Sequence, residues 1–177
     1  MSKQEKTKLD NFHIPRWSEL PNIDLYLDQV VTLINSCLSP YIFFYNDCKK
    51  KDNELLTKTM INNYVKNNLI ESPVKKQYSK VHIAKLIAIC ILKQVYSMQD
   101  INILISRALS HYDVQNAYDQ FCNLFEESLI CTFTKKDFID NKSSSDNTYL
   151  FKSVLLSCSY KIYVQNITCQ NKSSASN

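Results

Sequence analysis

Residues 57–70 read Thr57-Lys-Thr-Met-Ile-Asn-Asn-Tyr-Val-Lys-Asn-Asn-Leu-Ile70, and this window decides how the rest of the chain is organised. At about 100° per residue, Lys58, Thr59, Asn62, Asn63 and Lys66 fall on an arc of about 140°, with Met60, Ile61, Tyr64 and Val65 opposite. That is a helix with one apolar face. Thr57 is placed to cap its N-terminus, and Asn68 suits the left-handed residue that closes such a helix. The outward face carries two Lys, one Thr and two Asn, and no acid.

The neighbouring segments extend this pattern. Pro73 to Tyr78 reads as a short turn containing Lys75-Lys76. Ser79 then caps a helix to about Tyr96, with Ile83, Leu86, Ile87, Cys90, Ile91 and Val95 inward and His82, Lys85 and Lys93 on its wetter side. Ser97-Met-Gln-Asp100 is a capping box with Asp in place of Glu, and it opens a helix with Ile101, Leu104, Ile105 and Ala108 inward. Tyr112 to Ile130 is a longer amphipathic helix bearing Val114, Ala117, Tyr118, Phe121, Leu124, Phe125 and Leu129.

Toward the N-terminus, Asp24 to Leu38 has helical apolar spacing, and Pro40 is expected to end it. Phe12 to Pro21 is held extended by its X-Pro pairs, with Trp17 and Leu20 strapping onto the core. Residues 1–11 form a flexible lead and 46–53 a polar, Lys-rich loop. At the other end, 133–148 is a Ser/Asn-rich linker. Residues 149–168 fit two periods. Val154, Leu156, Cys158, Tyr160, Ile162 and Val164 alternate as in a strand, whereas Phe151, Val154, Leu155, Cys158 and Ile162 fit a helix. A strand has no evident partner, so a helix is preferred, followed by a disordered tail to Asn177. No pocket-forming set is visible in this half.

Among 177 residues there is no glycine, where average usage would give about a dozen. A phosphate-cradling P-loop, a dinucleotide fingerprint, a kinase Gly-rich loop and a nucleophile elbow are therefore excluded. Two-residue hairpins lean on Gly at positive φ, so a mainly α fold is expected. The seven cysteines show no C-x-x-C spacing and read as reduced thiols, most of them buried. No metal set or cofactor motif appears. The first ten residues are polar and Lys-bearing, and no apolar run approaches the ~20 residues that span a bilayer. A cytoplasmic protein is expected.

Charge is unevenly spread. Residues 54–96 carry seven Lys and two acids, whereas 97–140 carry three bases and seven acids. The basic excess lies on the segment with the acid-free helix and the Lys-Lys turn, as a phosphate-binding surface would require. A solvated Lys-rich face would leave the same charge.

Taken with Pro73, Lys75-Lys76 and Tyr78-Ser79, the 57–70 window resembles the MerR-like winged helix-turn-helix. Its pattern, Arg-Tyr-Tyr-Glu-Arg-x-Gly-Leu, aligns Asn62 with the first Arg, Asn63 and Tyr64 with the two Tyr, Lys66 with the second Arg, Asn68 with Gly and Leu69 with Leu. Residues 12–110, with Ile14-Pro15-Arg16-Trp17, Leu25-Tyr26 and Asp28-Gln29-Val30, more closely resemble a bacterial family of domain of unknown function 1836, regarded as related to the MerR type. The resemblance implies a winged helix-turn-helix domain over 12–110 with a helical C-terminal extension. It also implies DNA binding by the 58–67 helix in the major groove. Asn62 and Asn63 depart from the pattern, removing a charged phosphate clamp and an aromatic contact.

In that arrangement Lys58, Lys66, Lys75, Lys76 and Lys80 contact phosphates, Tyr78 donates its hydroxyl to one, and Thr59, Asn62 and Asn63 face base edges. A half-site reader of this size works as a homodimer, and the 111–132 helix, through Phe121, Phe125 and Leu129, is the candidate seam. Its other reading is a helix covering its own core. His13, His82 and His111 read as surface or capping residues. Asp113, Asp119, Glu126 and Glu127 read as solvated helix faces, and no catalytic constellation emerges. The expectation is a non-enzymatic transcriptional regulator bound to double-stranded DNA. The alternative is a helical protein-interaction module on the same scaffold. Any small-molecule effector is unidentified.

Overall fold

The computed structural model describes residues 12–42, 54–136 and 146–174; the lead 1–11 and the 46–53 loop lie outside the described residues. The described chain is mainly helical. A 3-10 turn at Trp17–Glu19 precedes strand β1 (Leu25–Tyr26), α1 (Leu27–Ile42), α2 (Lys58–Lys66), β2 (Gln77–Tyr78), α3 (Lys80–Leu92), α4 (Met98–Leu109), α5 (Val114–Thr134) and α6 (Asp146–Ser174). Among the described residues, no helix is long and apolar enough to cross a membrane.

Two boundaries differ from the sequence reading. The expected helix start at Asp24 is displaced, because Leu25 and Tyr26 pair antiparallel with Tyr78 and Gln77. A two-residue strand has no periodicity of its own and is defined by a partner some fifty residues away. The helix also runs past Pro40 to Ile42. A proline forfeits one backbone hydrogen bond, while Leu38 and Ile42 on either side of it are both buried in the core and hold that last turn.

The turn containing Lys75-Lys76 is a tight two-residue hairpin. Val74 and Gln77 exchange both backbone hydrogen bonds, at 3.1 and 2.9 Å. Lys75 and Lys76 have φ of 50° and 65°, the double left-handed pair of a type I′ turn. Such a turn usually relies on Gly or Asn, and here two lysines fill it.

α3 is the central element, with nine of its thirteen residues buried. His82, expected on the wetter side, is buried, and its Nδ1 accepts the Ser79 N–H at 3.0 Å to complete the cap. Val95, expected inward, lies beyond the end of α3 and is exposed. The Ser97 box forms as read: the Ser97 hydroxyl accepts the Asp100 N–H at 3.2 Å, and the Asp100 carboxylate accepts the Ser97 N–H at 3.3 Å.

α5 runs past Ile130 to Thr134, closed by Lys135 in the left-handed conformation, so it enters the segment read as linker, whose residues 137–145 lie outside the described residues. Residues 149–168 are helical. The helix-spaced set Val154, Leu155, Cys158 and Ile162 is buried, whereas Tyr160 and Val164 of the alternating set are exposed. α6 lies alongside α5 and runs in the same direction: Phe121 and Phe151 wall one cavity, and Phe133 meets Tyr163 edge-on at 5.2 Å. This packing overturns the dimer seam. Phe125 and Leu129 are fully buried within their own chain and Phe121 is half-buried.

The Pro-rich strap docks on α5, with Trp17 edge-on to Tyr118 and Leu20 in the core. Here the acids read as solvated have structural work. Glu126 accepts from Arg16 Nη1 and Nη2, at 2.7 and 2.5 Å, and from the Ile14 N–H at 2.7 Å. Asp119 accepts the Trp17 N–H at 2.7 Å, and Asp113 caps α5 by accepting the Asn116 N–H at 3.0 Å. The hydrogen bonds it donates to Glu126 hold the Arg16 guanidinium above its ordinary pKa, against the opposing effect of burial.

Cys37, Cys90, Cys122, Cys131 and Cys158 are free thiols. Burial pushes Cys90, Cys122 and Cys158 up to about 12, so these three stay protonated and pack as small apolar groups.

Candidate nucleic-acid interface

α2 is short, with two of its nine residues buried, so its stability has to come from its ends and its docking. At the N-terminus the Thr57 hydroxyl accepts the Met60 N–H at 3.2 Å, the cap expected from the sequence. At the C-terminus Asn68 is left-handed, with φ of 54°. The Leu69 N–H reaches the Tyr64 carbonyl at 2.9 Å and the Asn68 N–H reaches that of Val65 at 3.0 Å. That is the Schellman arrangement, and Leu69, buried beside Tyr64, supplies its apolar contact.

Two side chains from elsewhere clamp the entry to α2. Asn35 of α1 grips Leu56 in both directions, donating to its carbonyl at 2.8 Å and accepting its N–H at 3.0 Å. Lys93, just past α3, donates to the Leu55 carbonyl at 2.5 Å and to the Met60 sulfur at 3.4 Å. Burial of that ammonium lowers its pKa from the ordinary lysine value. Sequence reasoning missed both residues. Their partners lie 21 and 38 positions away, and an Asn on a helix or a Lys near a helix end carries no local sign of such a role.

With its ends fixed, α2 turns Lys58, Thr59, Asn62, Asn63 and Lys66 outward, all exposed, and buries Ile61 and Tyr64. Lys75 and Lys76 at the hairpin tip are exposed as well. Among the described residues, Lys66, Lys75 and Lys76 have no ion-pair partner. Lys58 pairs with Asp28 of α1 across an exposed surface, a contact of at most ~1 kcal/mol. Lys80, half-buried, donates to Asn22 at 2.7 Å and lies 5.3 Å over the Trp17 ring.

Tyr78 is the residue that does not join this surface. It belongs to β2, is buried, and packs edge-on against His82 at 5.5 Å. The strand pairing that sets β2 turns this ring inward, so Tyr78 is removed from the contact set. Nearby, Glu71 takes the Lys85 ammonium at 2.5 Å. Burial is the largest single influence and raises the Glu71 pKa, but the hydrogen bond and charge of Lys85 together with a backbone N–H leave the carboxyl below its ordinary value. Among the described residues no cluster of three or more His, Cys, Asp or Glu is arranged for a metal.

Residues 15–121 match the family described as Domain of unknown function (DUF1836). The chain belongs to this family. The matched span covers well over half of the sequence and takes in α2, the hairpin, all the outward residues just named, the Asn35 and Lys93 clamp, and α5 as far as Phe121. α6 lies beyond it. No curated protein and no solved structure gives a significant match.

Proposed function

We propose that this DUF1836 protein is a cytoplasmic, double-stranded-DNA-binding transcriptional regulator whose 12–110 region is a MerR-like winged helix-turn-helix. One observation carries the reading: an acid-free, fully exposed polar helix face is capped at both ends and followed by a hairpin with two lysines at its tip that have no ion-pair partner among the described residues. Holding Lys at positive φ costs about 1–2 kcal/mol per residue. A strained pair of cations at an exposed tip is a feature of a binding surface more than of a stabilising turn.

In this reading Lys66, Lys75 and Lys76 meet phosphates directly, and Lys58 and Lys80 do so by exchanging Asp28 and Asn22 for the DNA backbone. Thr59, Asn62 and Asn63 face the bases, where Asn pairs bidentately with adenine. A homodimer would read two half-sites, using a surface other than the α5 face that is already covered by α6.

The test is affinity for random-sequence duplex across a salt series. Log affinity should fall with log salt by about 0.9 for each phosphate neutralised. Lys66→Glu should weaken binding to every sequence and flatten that slope, whereas Asn62→Ala should change which sequence is preferred. An unchanged slope in Lys66→Glu would sink the docking. A second reading, a helical protein-interaction module, draws support from Tyr149, Tyr160, Val164 and Ile167, which α6 leaves exposed along one side. A stable complex with a partner protein that survives nuclease would favour it.

A further inference from the structure

The sequence offers no pocket-forming set in the C-terminal half, yet α3, α4, α5 and α6 line a partly open cavity. It has two adjacent lobes of about 70 and 60 Å³, and they share Ala108, Ala117, Phe121, Phe151 and Leu155. The space exists because alanines face one another where larger side chains would close it: Ala84 and Ala88 from α3, Ala108 from α4 and Ala117 from α5. Alanine at a helix face is a good helix former, so each looks unexceptional in sequence. Their convergence is visible only once the four helices are packed.

We propose that this cavity binds a small uncharged molecule with an apolar ring and one hydrogen-bonding group at its end. Size, lining and polarity each contribute to this assignment. Taken together, the two adjacent lobes approach the ~150 Å³ of apolar cavities that take up a benzene-sized guest. The walls of the larger lobe are alkyl and aromatic, giving water few partners, so an apolar occupant is favoured over solvent.

The polar atoms at the larger lobe are already committed. The Lys85 ammonium is held by Glu71 at 2.5 Å, and the Tyr118 hydroxyl donates to the Pro15 carbonyl at 2.7 Å. An ionic ligand would find no counter-charge there, and burying it unpaired is costly. The smaller lobe ends in Gln120 and Tyr112, both exposed at the rim, and in Asn147, whose amide is bonded to Arg107 and His111 at 2.8 Å each. Gln120 has no partner among the described residues and can receive the ligand's polar end. The ring would then lie between Phe121 and Phe151 with its polar group toward Gln120.

The probe is p-cresol, titrated into the full chain by calorimetry and by amide chemical-shift mapping. Saturable binding is expected, with shifts centred on Ala88, Ala108 and Ala117. Filling the cavity by Ala117→Leu, or by Ala108→Leu if the first variant lacks a cooperative melt, should weaken binding by roughly tenfold or more, as lost pocket volume does. The anion 4-methylbenzoate, with the same ring, should bind at least about tenfold more weakly than p-cresol because its charge is left unpaired. No saturable binding would overturn the proposal, as would equal affinity in a folded filled variant, equal or tighter binding of the benzoate, or shifts centred elsewhere. None of these outcomes depends on whether the chain binds DNA.

Discussion

Helices α2 and α3 flank the same lysine hairpin and treat their side chains in opposite ways. α3 buries nine of thirteen residues, wrapped by α1, β2, α5 and α6, while α2 buries two of nine and turns five polar groups outward. One is a scaffold and the other a display. The difference shows that exposure at α2 is not looseness. Its caps, the Asn35 grip and the Lys93 clamp fix its position without using its outer face.

The contrast breaks most readily from the scaffold side. Leu86→Ala in α3 should cost about 3 kcal/mol in a denaturant melt, as a fully buried leucine does. A loss under about 1 kcal/mol would mean α3 is not the keystone. Of the two carboxylates that hold the strap over this scaffold, Glu126 makes the most contacts, and Glu126→Ala removes the counter-charge of Arg16 and the acceptor of the Ile14 N–H. That should cost about 2 kcal/mol, less than a fully buried pair because both side chains keep some solvent contact.

The display side should respond more weakly in stability and more strongly in binding. Asn35→Ala removes two hydrogen bonds to Leu56 and should cost about 1–2 kcal/mol. If α2 is a recognition helix, DNA affinity should fall with it. Replacing Lys75 and Lys76 by glycine should raise stability by about 1 kcal/mol as the left-handed strain is relieved, while DNA affinity drops. Stability and binding moving together would argue against the strained turn as a contact surface. Lys66→Glu is the smallest in stability, within about 0.5 kcal/mol, and its effect should appear in the salt slope of DNA binding.

The features read correctly before folding were those with a short range. Thr57, Ser97 and Asn68 act within one helical turn, so their caps and the left-handed stop could be read directly from spacing. The acid-free face of α2 was legible because apolar periodicity separates inside from outside within a dozen residues, and the strap at Trp17 and Leu20 because the X-Pro pairs beside them restrict the backbone locally. For 149–168 the sequence supported two periods at once, and burial of Leu155 with exposure of Tyr160 and Val164 decided for the helix.

What the sequence by itself determined about this protein is therefore local: which segments are helical, where most of them begin, which faces are apolar, and that a glycine-free chain would be built mainly of helices. Tertiary structure decided everything that needs a distant partner. It paired β1 with β2, drew Tyr78 and His82 inward, gave Glu126 and Asp119 to the strap, covered the α5 face with α6, and left a cavity where four alanines meet. The physical reason is range. A cap or an amphipathic stripe is specified by side chains a few bonds apart. A buried charge, a paired strand or an unfilled space is specified by what arrives from the far end of the chain, and no single window contains that information.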